Sequence, residues 1–172
     1  MFFRNICCAL VLLTLVNLNS TAQSSEFYDG VTTIMRDAPN QFRNIRGKTV
    51  SDNFFAIVWE SGIKLPGALA ARFVFSKGMS YECAFLQTNN IADVKGVYDR
   101  YVSLLDSCLK PMGYTMSLSD NFFPGMAEYK KVAFLPEIDP EKGEKSKPHL
   151  AIEVTYSKEK QLYTVVLFIY EH

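Results

Sequence analysis

The chain has 172 residues, of which 48% are hydrophobic and 21% charged, and its formal net charge is zero. This composition excludes a disordered tail, a collagen-like fibre and a coiled coil, because each of these needs a strong compositional bias. General nucleic-acid binders carry an excess of positive charge, and this chain has none, so no nucleic-acid partner is expected.

The first 22 residues have the pattern of a removable export signal. Arg4 supplies a positive charge, Ile6–Val16 form an apolar run of eleven residues, and the small residues Ser20 and Ala22 suit cleavage after Ala22. Eleven apolar residues are too few for a membrane span, which needs roughly 20. We therefore expect an exported protein, periplasmic or secreted, that resembles many small exported bacterial proteins in this respect.

Residues 23–172 (172 − 22 = 150 residues) have the size of one ordinary domain. Without Arg4 they carry 17 basic and 18 acidic residues, and they contain no run that predicts a membrane span. In an oxidising compartment Cys83 and Cys108 would most simply pair with each other. That disulfide would close a 25-residue span (108 − 83) and contribute about 3–4 kcal/mol. The alternative is a free nucleophilic thiol.

The first half begins with an apolar stripe at three- and four-residue spacing, which predicts a helix from Phe27 to Ile45. Pro39 predicts a break near Asp37–Ala38, and Gly47 is the expected stop. Alternating apolar residues then predict three strands, at Phe54–Glu60, Leu69–Ser76 and Ser80–Gln87.

The second half repeats this order with a clearer helix. Asn90 is the expected N-cap, an apolar stripe runs from Ile91 to Leu109, and Pro111 with Gly113 ends the helix. The last strand is apolar on both faces and is predicted to be central and covered on both sides. Strand-like runs follow the helix at Tyr114–Leu118, Tyr129–Leu135, Leu150–Ser157 and Leu162–Tyr170.

An internal repeat supports two similar halves. Ser51–Phe55 (SDNFF) recurs as Ser119–Phe123 at an offset of 68, and later matches have an offset of 81. The difference (81 − 68 = 13) is the length of the charged stretch Pro136–Pro148, interpreted as a solvated loop. The predicted fold is therefore α+β: two tandem α-β-β-β units, at about 25–88 and 89–172, forming an antiparallel sheet with helices on one face. The layout resembles secreted inhibitors built by duplication, although no shared motif identifies site residues.

Few residues suggest catalysis, and no metal or other cofactor is expected. His149 and His172 are the only histidines, and a dyad of His149 with Cys83 or Cys108 would need a reactive thiol on a predicted core face. A glycosidase-like carboxylate pair is the other catalytic alternative. The acids in or beside strands are interpreted as outward positions on a half-solvated sheet: Glu60, Glu82, Glu128 and Glu153.

Two apolar Pro-Gly loops favour binding over catalysis, because turns that face water usually carry polar residues. The same loops could instead pack over the core. The leading hypothesis is an exported, non-catalytic domain that binds a protein or an apolar ligand, and the alternatives are a small envelope hydrolase or a structural envelope component. The candidate interaction residues are Leu65, Pro66, Gly67, Phe122, Phe123, Pro124, Gly125 and Met126.

Overall fold

The computed structural model describes residues 24–119, 129, 131–137 and 147–171. These residues form an α+β fold, in which the helices α1 (24–37) and α2 (Val94–Leu109) accompany one eight-stranded antiparallel sheet. The strands are β1 (Arg46–Asp52), β2 (Ile57–Ser61), β3 (Ala70–Phe75), β4 (Met79–Thr88), β5 (Tyr114–Ser119), β6 (Lys131–Pro136), β7 (His149–Ser157) and β8 (Leu162–Tyr170). Within this part of the chain, no helix is long and apolar enough to cross a bilayer.

The strand order across the sheet is β1-β2-β3-β4-β8-β7-β6-β5. Each helix is thus followed by a four-stranded meander, and the last strands of the two meanders pair antiparallel at the centre. The central register runs from Ser80 opposite Tyr170 to Ala84 opposite Val166, and an irregularity follows before Leu86. This arrangement leaves β1 and β5 at the two edges of the sheet.

Both helices pack on one face of the sheet, as the sequence predicts. On β4 the alternating residues Tyr81, Cys83 and Phe85 are buried on this helix-covered face. The Phe85 ring stacks on Tyr101 of α2 with 3.6 Å between centroids, and Phe27 of α1 lies 5.8 Å from the same Tyr101 ring. These contacts join α1, α2 and the sheet into one hydrophobic core.

The first half differs from the prediction because it has four strands rather than three. β1 was missed: its burial pattern is mostly exposed and its residues do not alternate between apolar and polar types. Gly47, the expected helix stop, lies inside β1. The helix ends earlier, at residue 37, and Pro39 lies in a 3-10 turn over Ala38–Asn40, which confirms the predicted break.

The chain after α1 is held by a buried carboxylate. Asp37 Oδ2 accepts a hydrogen bond from the Asn44 backbone N–H at 3.0 Å, and its Oδ1 accepts one from the Asn44 side-chain amide at 2.6 Å. Gln41 and Phe42 both have positive φ, at 58° and 55°. This left-handed turn brings Phe42 into the core, where its ring lies 5.1 Å from that of Phe73. The apolar stripe thus correctly marks Phe42 as a core residue, although Phe42 lies beyond the end of the helix.

The second half follows the prediction closely. The Asn90 side chain accepts a hydrogen bond from the Ala92 N–H and caps a 3-10 turn that leads into α2. Gly113, with φ of 77°, ends a second 3-10 turn over Lys110–Met112. The four predicted strands correspond to β5, β6, β7 and β8, and β8 is central as expected. Among the described residues, helices cover β8 on one face only, and the expected cover of its second face is not seen there.

Candidate functional site

The face of the sheet opposite the helices, called here the open face, carries the candidate site. The strand registers place its residues in rows that run across the strands. One row contains Glu60, Arg72, Glu82, Phe168 and Ala151; the next contains Ala70, Ala84, Val166 and Glu153; a third contains Gln87, Thr164 and Thr155. These side chains alternate along each strand with the buried residues of the helix-covered face.

A groove crosses the open face at the centre of the sheet. Its floor is formed by Ala70, Ala84 and Val166 on three adjacent strands, and short side chains there leave a depression of about 360 Å³. Arg72, Glu82 and Phe168 form one wall, whereas Gln87, Thr155 and Thr164 form the other. The volume lies in the range of small-molecule sites, which measure roughly 300–1,000 Å³.

One ion pair stands in a wall of the groove, and a second lies on the open face outside it. Arg72 donates from Nε and Nη2 to Glu82 Oε2, at 2.8 Å and 2.6 Å, and this pair stands on one wall. Lys131 Nζ lies 3.4 Å from Glu153 Oε2 at the end of the floor row. Burial, together with the nearby negative charges of Glu153 and Glu82, raises the pKa of Tyr170 to about 12. The neutral phenol is therefore the stable form beside these acids.

In the first predicted interaction loop, Leu65 is buried, Pro66 is half-buried and Gly67 is exposed. Leu65 is only 1% exposed, and the Tyr101 hydroxyl donates to the Pro66 carbonyl oxygen at 3.2 Å. Gly67 has φ of 78°, and a Cβ there would overlap the Tyr101 hydroxyl, so only glycine fits. Leu65 therefore packs in the core, whereas an interaction role for Pro66 and Gly67 stays a prediction. The other predicted loop residues lie outside the described residues: Phe122, Phe123, Pro124, Gly125 and Met126.

The expected disulfide is not seen, because Cys83 and Cys108 are both free, buried thiols. Cys83 interacts with Tyr81 and with the backbone of Leu65, and Tyr101 is the α2 residue beside it. Cys108 lies two helical turns, or about 10 Å, from Tyr101 along α2. The two thiols therefore occupy different levels of the helix–sheet interface.

The thiols do not form the dyad weighed as a catalytic alternative. Burial raises the pKa of the Cys83 thiol to about 11 and that of Cys108 to about 11. His149 is opposite Tyr170 on the open face, whereas both cysteines belong to the core on the helix-covered face. A nucleophilic cysteine needs a stabilised thiolate and a base within hydrogen-bond reach, and this arrangement supplies neither.

The acids in the strands are outward residues, as interpreted from the sequence. Glu60, Glu82 and Glu153 all lie on the open face, and the last two have cationic partners. Glu128 and His172 lie outside the described residues. Within the described ranges, no group of three or more His, Cys, Asp or Glu side chains could hold a metal ion.

Sequence reasoning missed the groove and one exposed aromatic pair. Phe54 and Phe55, at the β1–β2 turn, are 96% and 84% exposed and pack edge to face at 5.5 Å. The repeat offered a signal for this pair, since Phe54-Phe55 aligns with Phe122-Phe123 in the recurring pentapeptide. For the groove the sequence offers only two separate alanines at outward positions, Ala70 on β3 and Ala84 on β4.

Comparison with known proteins adds no further constraint. No family model, curated protein or solved structure matches this chain significantly. The case for a function therefore rests on the geometry of the open face and on the chemistry of its residues.

Proposed function

We propose that this chain is an exported, non-catalytic binding domain that holds a small apolar ligand in the groove of the open face. The single observation that carries the proposal is the 360 Å³ depression at the centre of the sheet. Sites for small molecules are concave and mostly apolar, with a few polar groups that fix orientation. Ala84 and Val166 supply the apolar floor, and Arg72 supplies a charged group at its edge.

The short side chains of the floor support this proposal. A solvated sheet face is usually covered by long polar side chains, which lie across the strands and shield the backbone. Here alanine occupies adjacent positions on β3 and β4, opposite each other in the register, and Val166 continues the row. Filling such a depression with an apolar ligand removes hydrocarbon surface from water, at about 25 cal/mol per Å².

The polar groups of the groove favour binding over turnover. Glu82 accepts two hydrogen bonds from one guanidinium group, which is a stable charge-assisted arrangement. Arg72 Nη1 takes no part in this pair and is suited to a carbonyl or anionic group of the ligand. The ligand class that fits is therefore an apolar molecule with one acceptor group.

We also infer that the two halves arose by duplication. In each half the helix leads into a 3-10 turn with proline at its second position, at Pro39 and Pro111. A residue with positive φ follows each turn, Gln41 in one half and Gly113 in the other. The repeated pentapeptide then begins in the first strand after each helix, at Ser51 and Ser119. The two meanders finally pair through equivalent strands, β4 and β8.

Titration with anilinonaphthalene sulfonate, an apolar aromatic anion, tests the binding proposal. The variant Ala84→Phe fills the floor, and Ala133→Phe is the matched control because Ala133 is half-buried on the same face but outside the groove. We expect wild type and Ala133→Phe to enhance the probe's fluorescence with similar affinity, and Ala84→Phe to bind about tenfold more weakly or worse. A wild-type protein without enhancement, or equal losses in both variants, contradicts the proposal.

A further inference from the structure

Strand β5 forms an unprotected edge of the described sheet. Five of its six residues are exposed, among them Met116 at 48% and Leu118 at 60%. The strand YTMSLS contains no charged residue and no proline, and its register with β6 is regular over all six pairs. A regular, uncharged edge strand is a template for pairing with another strand.

The opposite edge of the sheet has the usual protection. The repeat offset of 68 aligns β1 with β5, so that Arg46 corresponds to Tyr114 and Lys48 to Met116. The β1–β2 register also shifts twice, between Arg46 and Thr49 and again before Ser51. Charges and irregular registers both discourage edge-to-edge pairing. The two edge strands, β1 and β5, therefore differ in the features that decide whether a further strand can pair with them.

The hydrogen-bond pattern between β5 and β6 determines which backbone groups of β5 face the edge of the sheet. The Glu137 N–H donates to the Gly113 carbonyl at 2.8 Å, which makes this opposing pair a hydrogen-bonded one. Hydrogen-bonded and non-hydrogen-bonded pairs alternate along an antiparallel ladder. The N–H and C=O groups of Tyr114, Met116 and Leu118 therefore point away from β6, toward the free edge.

We propose that β5 pairs antiparallel with β5 of a second copy of this chain, about a twofold axis at Met116. In this register Met116 lies opposite the partner's Met116, and Tyr114 lies opposite the partner's Leu118. On the other face Thr115 lies opposite the partner's Ser117. Each opposing pair of outward residues can exchange two backbone hydrogen bonds.

A second copy fits this edge because the strand is complementary to itself. The twofold axis brings apolar residues together on one face and hydroxyl residues on the other, two kinds of cross-strand pair that stabilise sheets. With no charges in β5, no like charges oppose each other. The contact is smaller than the roughly 800 Å² per partner of a standard interface, so we expect a dimer that dissociates at micromolar concentrations.

Sedimentation of the purified protein over about 1 µM to about 1 mM tests the dimer. Leu118→Lys places a charge on the pairing edge, and Val50→Lys is the matched control, since residue 50 is its counterpart on β1 (118 − 68 = 50) and is also exposed at 63%. We expect wild type and Val50→Lys to dimerise and Leu118→Lys to stay monomeric, with similar melting temperatures. A monomeric wild type, or equal effects of the two lysines, overturns the proposal.

Cross-linking tests the register. Cα atoms in a hydrogen-bonded antiparallel pair are about 5.5 Å apart, which is within disulfide range. Met116→Cys should therefore form a disulfide-linked dimer under mild oxidation, while its β1 counterpart, Lys48→Cys, should not. The test uses residues 23–172, in which the native Cys83 and Cys108 are 0% and 6% exposed and do not compete. Cross-linking of both variants alike, or of neither, overturns the register.

Discussion

Leu65 provides a quantitative test of whether the first Pro-Gly loop is core or interaction surface. Its side chain is 1% exposed, so Leu65→Ala removes three buried carbon atoms and leaves a cavity beneath the loop. Buried Leu→Ala changes cost about 3 kcal/mol or more. For a domain of this size, each kcal/mol lowers the melting temperature by roughly 2–4 °C, so we expect a loss of about 6–12 °C.

Gly30 of α1 makes the test specific, because a Cβ built there would lie 2.7 Å from Leu65 Cδ2. Alanine normally stabilises a helix interior by about 1 kcal/mol relative to glycine. In the wild-type protein the new methyl group would compete with Leu65 for space, and this gain should be cancelled. In the Leu65→Ala background the space is open, and Gly30→Ala should then give most of this stabilisation of about 1 kcal/mol.

Urea denaturation of the wild type, the Gly30→Ala and Leu65→Ala single variants and the double variant gives the coupling energy between the two positions. We expect Gly30→Ala and Leu65→Ala to couple by at least about 0.5 kcal/mol, in the sense that the double variant is more stable than the sum of single effects predicts. Lys64→Ala is the control, since Lys64 is exposed and should change stability by less than about 0.5 kcal/mol. A Leu65→Ala protein as stable as Lys64→Ala would refute the core assignment, and additive effects would refute the Gly30 contact.

Two further outcomes follow from buried groups. Iodoacetamide should leave Cys83 and Cys108 of the folded, unreduced protein unmodified, because both are buried with pKa values raised to about 11. In denaturant without reductant it should add one group to each of these two thiols, and peptide mass spectrometry that finds neither modified would reveal a disulfide. Burial raises the pKa of Tyr98, Tyr114 and Tyr170 from 10.0 to about 12, so the unfolded chain loses these protons first. The free energy of unfolding should be constant up to about pH 10 and fall toward pH 12. A urea midpoint that does not change between about pH 10 and about pH 12 would contradict this prediction.

Periodicity predicted those elements whose apolar residues face the core. The stripe of α2 and the alternation of β4 are direct consequences of burial on one side, and the structure confirms them. In β3 the strand is confirmed but the buried face only in part, because Phe73 is buried and Phe75 is 44% exposed. β1 was not predictable in this way, because an exposed edge strand has no buried face to impose a pattern. The bend at Gln41 and Phe42 depends on hydrogen bonds to Asp37, and no local pattern indicates such a contact.

The groove was harder to predict because it is a property of the register rather than of any one strand. Ala70 and Ala84 are unremarkable residues in sequence, and only the pairing of β3 with β4 makes them neighbours. The floor is completed by Val166, which comes from the other meander. Because the two halves contribute adjacent parts of one floor, the groove exists only where β4 and β8 pair. A ligand held there would therefore contact both halves and should stabilise their association, so that ligand binding and the stability of the central strand pair are linked.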